Sequence, residues 1–65
     1  MTKHTTSQIL EAVSEKMASG QGFIRRGKVD HFDSTVKING VAYRVKVAWP
    51  DGAEAHELTP EIEEV

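Results

Sequence analysis

Apolar residues recur at helical spacing near the start of the chain, as Ile9, Leu10, Val13 and Met17, while Gln8, Glu11, Ser14 and Glu15 fall mainly on other faces. Such a stripe predicts an amphipathic helix over residues 7–19. Thr6 or Ser7 can cap its start, Thr5 with Gln8 forms a capping box one turn earlier, and Gly20 is placed to end it in a left-handed conformation. Beyond Gly22 the period changes to two. Phe23 to Asp30 reads as a first strand, with Gly27 either a bulge or bend inside it or a turn that leaves a longer second strand.

The sharpest local signal is Asn39-Gly40, which stands between two alternating runs. Both residues accept the positive φ angles of a type I′ turn, so the pair predicts a tight hairpin. A two-residue loop sets Ile38 opposite Val41 and Val36 opposite Tyr43 on one face, with Lys37 opposite Ala42 and Thr35 opposite Arg44 on the other. Turn geometry and side-chain period agree without being forced to. Val45, Val47 and Trp49 continue the apolar face; Lys46 and Ala48 continue the outer one. Trp49 is in phase with the core residues and reads as packing rather than as a binding hot spot.

Pro50-Asp51-Gly52 ends the third strand in a turn. Thr59-Pro60-Glu61 offers a capping residue, a proline at the first helical position and an acid at the positive end of the dipole, which predicts a short helix toward Val65. The expected fold is therefore α+β: one amphipathic helix on one face of a three-stranded antiparallel meander, α-β-β-β, with a short C-terminal helical turn or an extended acidic tail at an edge. Residues 1–65 read as a single small domain, divided into a flexible N-terminus (1–6), the helix (7–19), the sheet (22–49) and the acidic segment (50–65). At this length little surface is buried per residue, and with no cysteine to make a disulfide, a homo-oligomer is among the expectations.

Charge alters the picture through its distribution. Residues 1–49 hold all eight Lys and Arg against four acids, and residues 50–65 hold six acids with no Lys or Arg, so a net charge of −2 combines a basic body with an acidic tail. Arg25, Arg26, Lys28, Lys37, Arg44 and Lys46, with Thr35, form the candidate interaction surface. A nucleic-acid backbone is one ligand for it, although no aromatic is interleaved on the outer face to stack on bases. Asp51, Glu54, Glu57, Glu61, Glu63 and Glu64 form a candidate acidic docking segment, able to meet a basic partner or to fold over the basic hairpin.

The remaining motifs argue against specific chemistry. Gly20-Gln21-Gly22 follows a helix, whereas phosphate loops precede one. His4, His31 and His56 have no metal-ligand spacing, and there is neither a nucleophile elbow nor a cysteine nucleophile. No catalytic, cofactor or metal residues are assigned. The polar start fits no signal peptide and no run approaches the about 20 apolar residues of a membrane span, which predicts a cytoplasmic protein without a membrane partner.

The order helix, three strands, short helix resembles that of double-stranded-RNA-binding domains. That family begins its last helix with lysines, where this chain has Thr59-Pro60-Glu61-Ile62-Glu63-Glu64. The charge is reversed where phosphates bind, so the family's function does not carry over. The expectation is a non-enzymatic regulatory or inhibitory module that binds another protein, with nucleic-acid binding through the basic hairpin face as the alternative.

Overall fold

A computed structural model describes residues 4–65. Its elements are helix α1 (Thr6–Ala18), strands β1 (Phe23–Arg26), β2 (Val29–Ile38) and β3 (Val41–Pro50), a 3₁₀ turn (Ala55–Glu57) and strand β4 (Glu61–Glu64). The strands form one antiparallel sheet in the order β1-β2-β3-β4. This is the expected small α+β fold, with one strand more than predicted.

The capping box that starts α1 is the Thr5–Gln8 pair. Gln8 N–H donates to Thr5 Oγ1 at 3.2 Å, and Thr5 N–H donates to Gln8 Oε1 at 2.8 Å. Within the start expected to be flexible, residues 1–6, Thr5 makes those bonds and the His4 ring nitrogen Nδ1 lies 2.8 Å from Tyr43 Oη. Met1 to Lys3, which that expectation also covered, lie outside the described residues. At the other end Gln21 N–H bonds Lys16 C=O at 3.2 Å and Gly20 N–H bonds Met17 C=O at 2.9 Å. This paired bonding closes the helix and turns the chain toward the sheet.

Gly27 is the turn, not a bulge. Arg26 pairs with Val29, leaving Gly27-Lys28 as a two-residue loop between β1 and a ten-residue β2. At Asn39-Gly40 the φ angles are 49° and 82°, and Ile38 pairs with Val41, as the hairpin signal predicts. The register places Phe32, Val36, Tyr43, Val45 and Val47 under Ile9, Leu10 and Val13 of α1, and these eight side chains are the buried core. Trp49 is half-buried beside them, and its indole N–H donates to Ala53 C=O at 3.0 Å.

The C-terminal segment takes the extended alternative at a sheet edge rather than the short helix, and goes beyond it by pairing as a strand. Glu61–Glu64 extend beside β3, with Ile62 opposite Val45, Glu63 opposite Arg44 and Glu61 opposite Lys46. Two turns of helix would have bonded only to themselves; as a strand the segment satisfies the free edge of β3 and packs Ile62 against the core. The intervening 3₁₀ turn packs on α1, bringing Ala55 and Leu58 to the core margin. A strand in place of the last helix also ends the likeness in element order to double-stranded-RNA-binding domains.

Gly22 joins helix to sheet at φ 78°, where an added Cβ would lie 2.9 Å from both Phe32 Cε1 and Ser34 Cβ. Gly20 has nearly the same φ, 79°, with nothing within 4 Å of such a Cβ. Gly20→Ala therefore carries only the left-handed penalty of about 1–2 kcal/mol, and Gly22→Ala adds the cost of displacing a buried ring, about 1–3 kcal/mol more. Urea unfolding of the two variants, followed by circular dichroism, is expected to show that difference.

Candidate interaction surfaces

Because α1 covers one face of the sheet, the alternation of each strand decides which side chains stay outside. On β2 these are Val29, His31, Asp33, Thr35 and Lys37; on β3 they are Ala42, Arg44, Lys46 and Ala48; β1 adds Ile24 and Arg26, and β4 adds Glu61 and Glu63. Thr35, Lys37, Arg44 and Lys46 are thus together on the outer face, joined by Arg26.

Arg25 and Lys28 are not part of that group. Arg25 alternates onto the face of Phe32, where its guanidinium donates to Asp30 Oδ1 at 3.1 Å and to Asp51 Oδ2. The hydrogen bonds it donates, first to Asp51 and then to Asp30, hold its positive charge and raise its pKa further above an already high value. Lys28 lies in the β1–β2 turn, and its carbonyl accepts from Asp51 N–H at 2.8 Å. Together these contacts lash the turn after β3 to the β1–β2 end of the sheet.

The acidic segment does not act as one unit. Asp51 is committed to Arg25. Glu54 and Glu57 bracket the 3₁₀ turn, with Glu54 N–H donating to Glu57 Oε1 at 2.8 Å. Glu61 and Glu63 enter the sheet directly across from Lys46 and Arg44, and Glu64 stands exposed at the edge. Asp33 Oδ1 accepts from Arg44 at 3.3 Å on the other side. Each cation of β3 therefore has a carboxylate on a neighbouring strand, and the basic stripe becomes a lattice of both signs.

Glu54, His56 and Glu57 hold three ligand atoms within 4.8 Å of one another. All three are exposed and the His56 ring is 3.4 Å from Glu54, so the group is a solvated charge cluster on a short turn. Elsewhere the outer face carries Ile24, 63% exposed, beside half-buried Val29.

Two features escaped sequence reasoning. One is Lys16, whose ammonium reaches from α1 to the Thr35 carbonyl and to Ser34 Oγ at 3.3 Å. The other is the open length of β2 beyond Asp33, which no strand among the described residues pairs on that side. Alternating acids at Glu61 and Glu63, spaced like the bases at Arg44 and Lys46, could have revealed β4; nothing in the sequence signals the reach of Lys16.

No family model matches the chain, and searches of curated proteins and of solved structures likewise find no match. Among the described residues, no helix is long and apolar enough to cross a membrane.

Opposed charges across a strand pair are worth about 0.2–1 kcal/mol. Lys46→Glu should destabilise the chain by that order by facing Glu61 with a like charge, and Lys46→Glu with Glu61→Lys should recover most of it. A double-mutant cycle in urea, repeated at high salt to screen the term, measures this.

Proposed function

We propose that this chain is a non-enzymatic regulatory or inhibitory module that works by docking on another protein, in the cytoplasm. The observation that carries the proposal is the outer face left uncovered by α1, where the cations of β3 stand among carboxylates of β2 and β4 and Ile24 is exposed on β1. A polyanion is held by a track of cations with few acids between them, because each phosphate contact gains from releasing counterions. Here Glu61 and Glu63 stand across from Lys46 and Arg44, and Asp33 bonds Arg44. A surface that mixes both signs and also exposes an apolar side chain suits a protein partner of complementary pattern, where charges choose register and exclude wrong partners.

The non-enzymatic part of the reading draws on the bonding of the histidines. His4 is taken up by Tyr43 and His56 by Glu54, and among the described residues neither stands beside a serine as a base beside a nucleophile.

A photo-crosslinking residue placed at Ile24 or at Lys37 tests the proposal in the native host. The expected result is a defined protein adduct at one of the two sites, lost when excess untagged chain competes and unaffected by nuclease. Adducts that vanish with nuclease, together with binding to DNA or RNA that falls steeply with salt and weakens in Lys37, Arg44 or Lys46 variants, would establish the nucleic-acid alternative. Absence of any competed protein adduct at both sites contradicts the proposal.

A further inference from the structure

β1 pairs with β2 only over Val29–Phe32, and among the described residues the bond from Asp33 N–H to Gly22 C=O, 3.0 Å, is the last main-chain contact on that side. The hairpin register directs the main-chain groups of Ile38, Val36 and Ser34 toward β3, and those of Lys37 and Thr35 away from it. Thr35 N–H, Lys37 N–H and Lys37 C=O therefore face outward on an open edge. The fourth group, Thr35 C=O, is the one that Lys16 holds with its ammonium. A long edge strand guarded by a single lysine is a template for another strand.

The edge forms one wall of a groove. The 3₁₀ turn packs on α1, and two adjoining hollows of about 410 and 420 Å³ lie between α1 and the open length of β2, sharing Ala12, Glu15 and Lys37. α1 runs along this edge with Gln8 and Glu11 near Ile38 and Asn39, and Lys16 near Thr35. Its wall of the groove carries exposed Glu11 and Glu15 around the small side chain of Ala12, with Lys16 following Glu15 and turned onto Thr35.

We infer that this groove accepts an extended segment of a partner protein, added as a strand to β2 and carrying Lys or Arg at alternate positions. The inference rests on the protein-docking reading above and specifies its site. Main-chain bonding to Thr35 and Lys37 supplies the attachment, and spacing supplies the selection. Residues four apart on a helix are separated by about 6 Å along its axis, and alternate residues of a strand by about 6.6 Å. Two basic side chains on the helix-facing side of the added strand thus reach Glu11 and Glu15 together. The chain already contains a precedent at its opposite edge, where the four residues of β4 add to β3 with Glu61 and Glu63 matched to Lys46 and Arg44.

A second copy is the poorer occupant. Pairing two β2 edges about a two-fold axis keeps both helices on the same side of the joined sheet and turns each Glu11 and Glu15 row toward its own copy. Like charges would then oppose the contact that opposite charges favour for a basic strand. For the ladder to form, Lys16 must release Thr35 C=O, so Lys16 acts as a guard that a true ligand displaces.

The test is a titration of the ¹⁵N-labelled full chain with the peptide acetyl-Thr-Arg-Val-Arg-Thr-amide, alongside the same peptide with Glu for Arg and a version N-methylated at its ladder nitrogens. Saturable shifts at Thr35, Lys37, Glu11 and Glu15 are expected for the Arg peptide, with slowed exchange of the Thr35 and Lys37 amides. Affinity should fall about tenfold, two exposed pairs' worth, in the Glu11→Lys, Glu15→Lys variant. The N-methylated and Glu peptides should also bind more weakly, and Lys16→Met should bind more tightly. Equal response to the Arg and Glu peptides, shifts centred on Ile24, no saturable binding up to millimolar peptide, or Thr35 and Lys37 amides already protected by self-association would each overturn the inference. A competed adduct at Ile24 with unprotected Thr35 and Lys37 would overturn the edge site alone, and absence of any competed protein adduct would remove the docking reading with it.

Discussion

Asn39 and Gly40 turn the chain through two positive φ angles, and the ladder they start runs without interruption from the Ile38–Val41 pair to the Val29–Pro50 pair. Because side chains alternate, this single register decides the fate of every residue in the two long strands. It sends Phe32, Val36, Tyr43, Val45 and Val47 to the helix and Asp33, Thr35, Lys37, Arg44 and Lys46 to the opposite side. A slip by one residue would drive three cations beneath Ile9, Leu10 and Val13, a cost that no small domain could bear. Burial reinforces the turn and the turn fixes the burial. With one helix to cover four strands, the second face of the sheet is left to solvent or to a partner.

The acidic end of the chain is part of this arrangement. Period-two alternation lets Ile62 reach the core while Glu61 and Glu63 meet Lys46 and Arg44 across the strand pair. The tail thus closes one edge of the sheet and sets carboxylates across from the basic stripe on its outer face. The opposite edge closes only halfway, because β1 begins only at Phe23 and the chain enters it through Gly22, whose lack of a side chain lets Phe32 and Ser34 come close. Lys16 covers one carbonyl of what remains. The asymmetry between the two edges is the structural basis for placing a docking site at one of them.

Much of this was legible in the residues. The helix stripe, the Thr5–Gln8 capping box, the hairpin and its pairing, and the core face of β3 all follow from local chemistry and period. The last strand was legible only as the alternative of an extended tail at an edge, because Thr59-Pro60-Glu61 is a strong helix-start pattern and the competing signal, acids at Glu61 and Glu63 around Ile62, has force only beside the matching bases of β3. The first strand was ambiguous for a similar reason, since Gly27 satisfies a bulge and a turn equally until Phe23 finds Phe32. Among the surface residues, alternation grouped Thr35, Lys37, Arg44 and Lys46 correctly but could not separate Arg25 from Arg26 without a register for β1. The roles of Lys16, Glu11 and Glu15 depend on where α1 lies over the sheet, which is a property of the packed molecule.

The central claim is that the acidic tail seals one edge of the sheet while β2 leaves the other open. Residue-resolved amide hydrogen exchange on the free chain reads both edges at once. The account predicts slow exchange at Glu61, Glu63 and Val65, whose N–H groups point to β3, with Val65 bonded to Ala42 C=O at 2.9 Å, and rapid exchange at Thr35 and Lys37. Rapid exchange along the tail with protected Thr35 and Lys37 would contradict it.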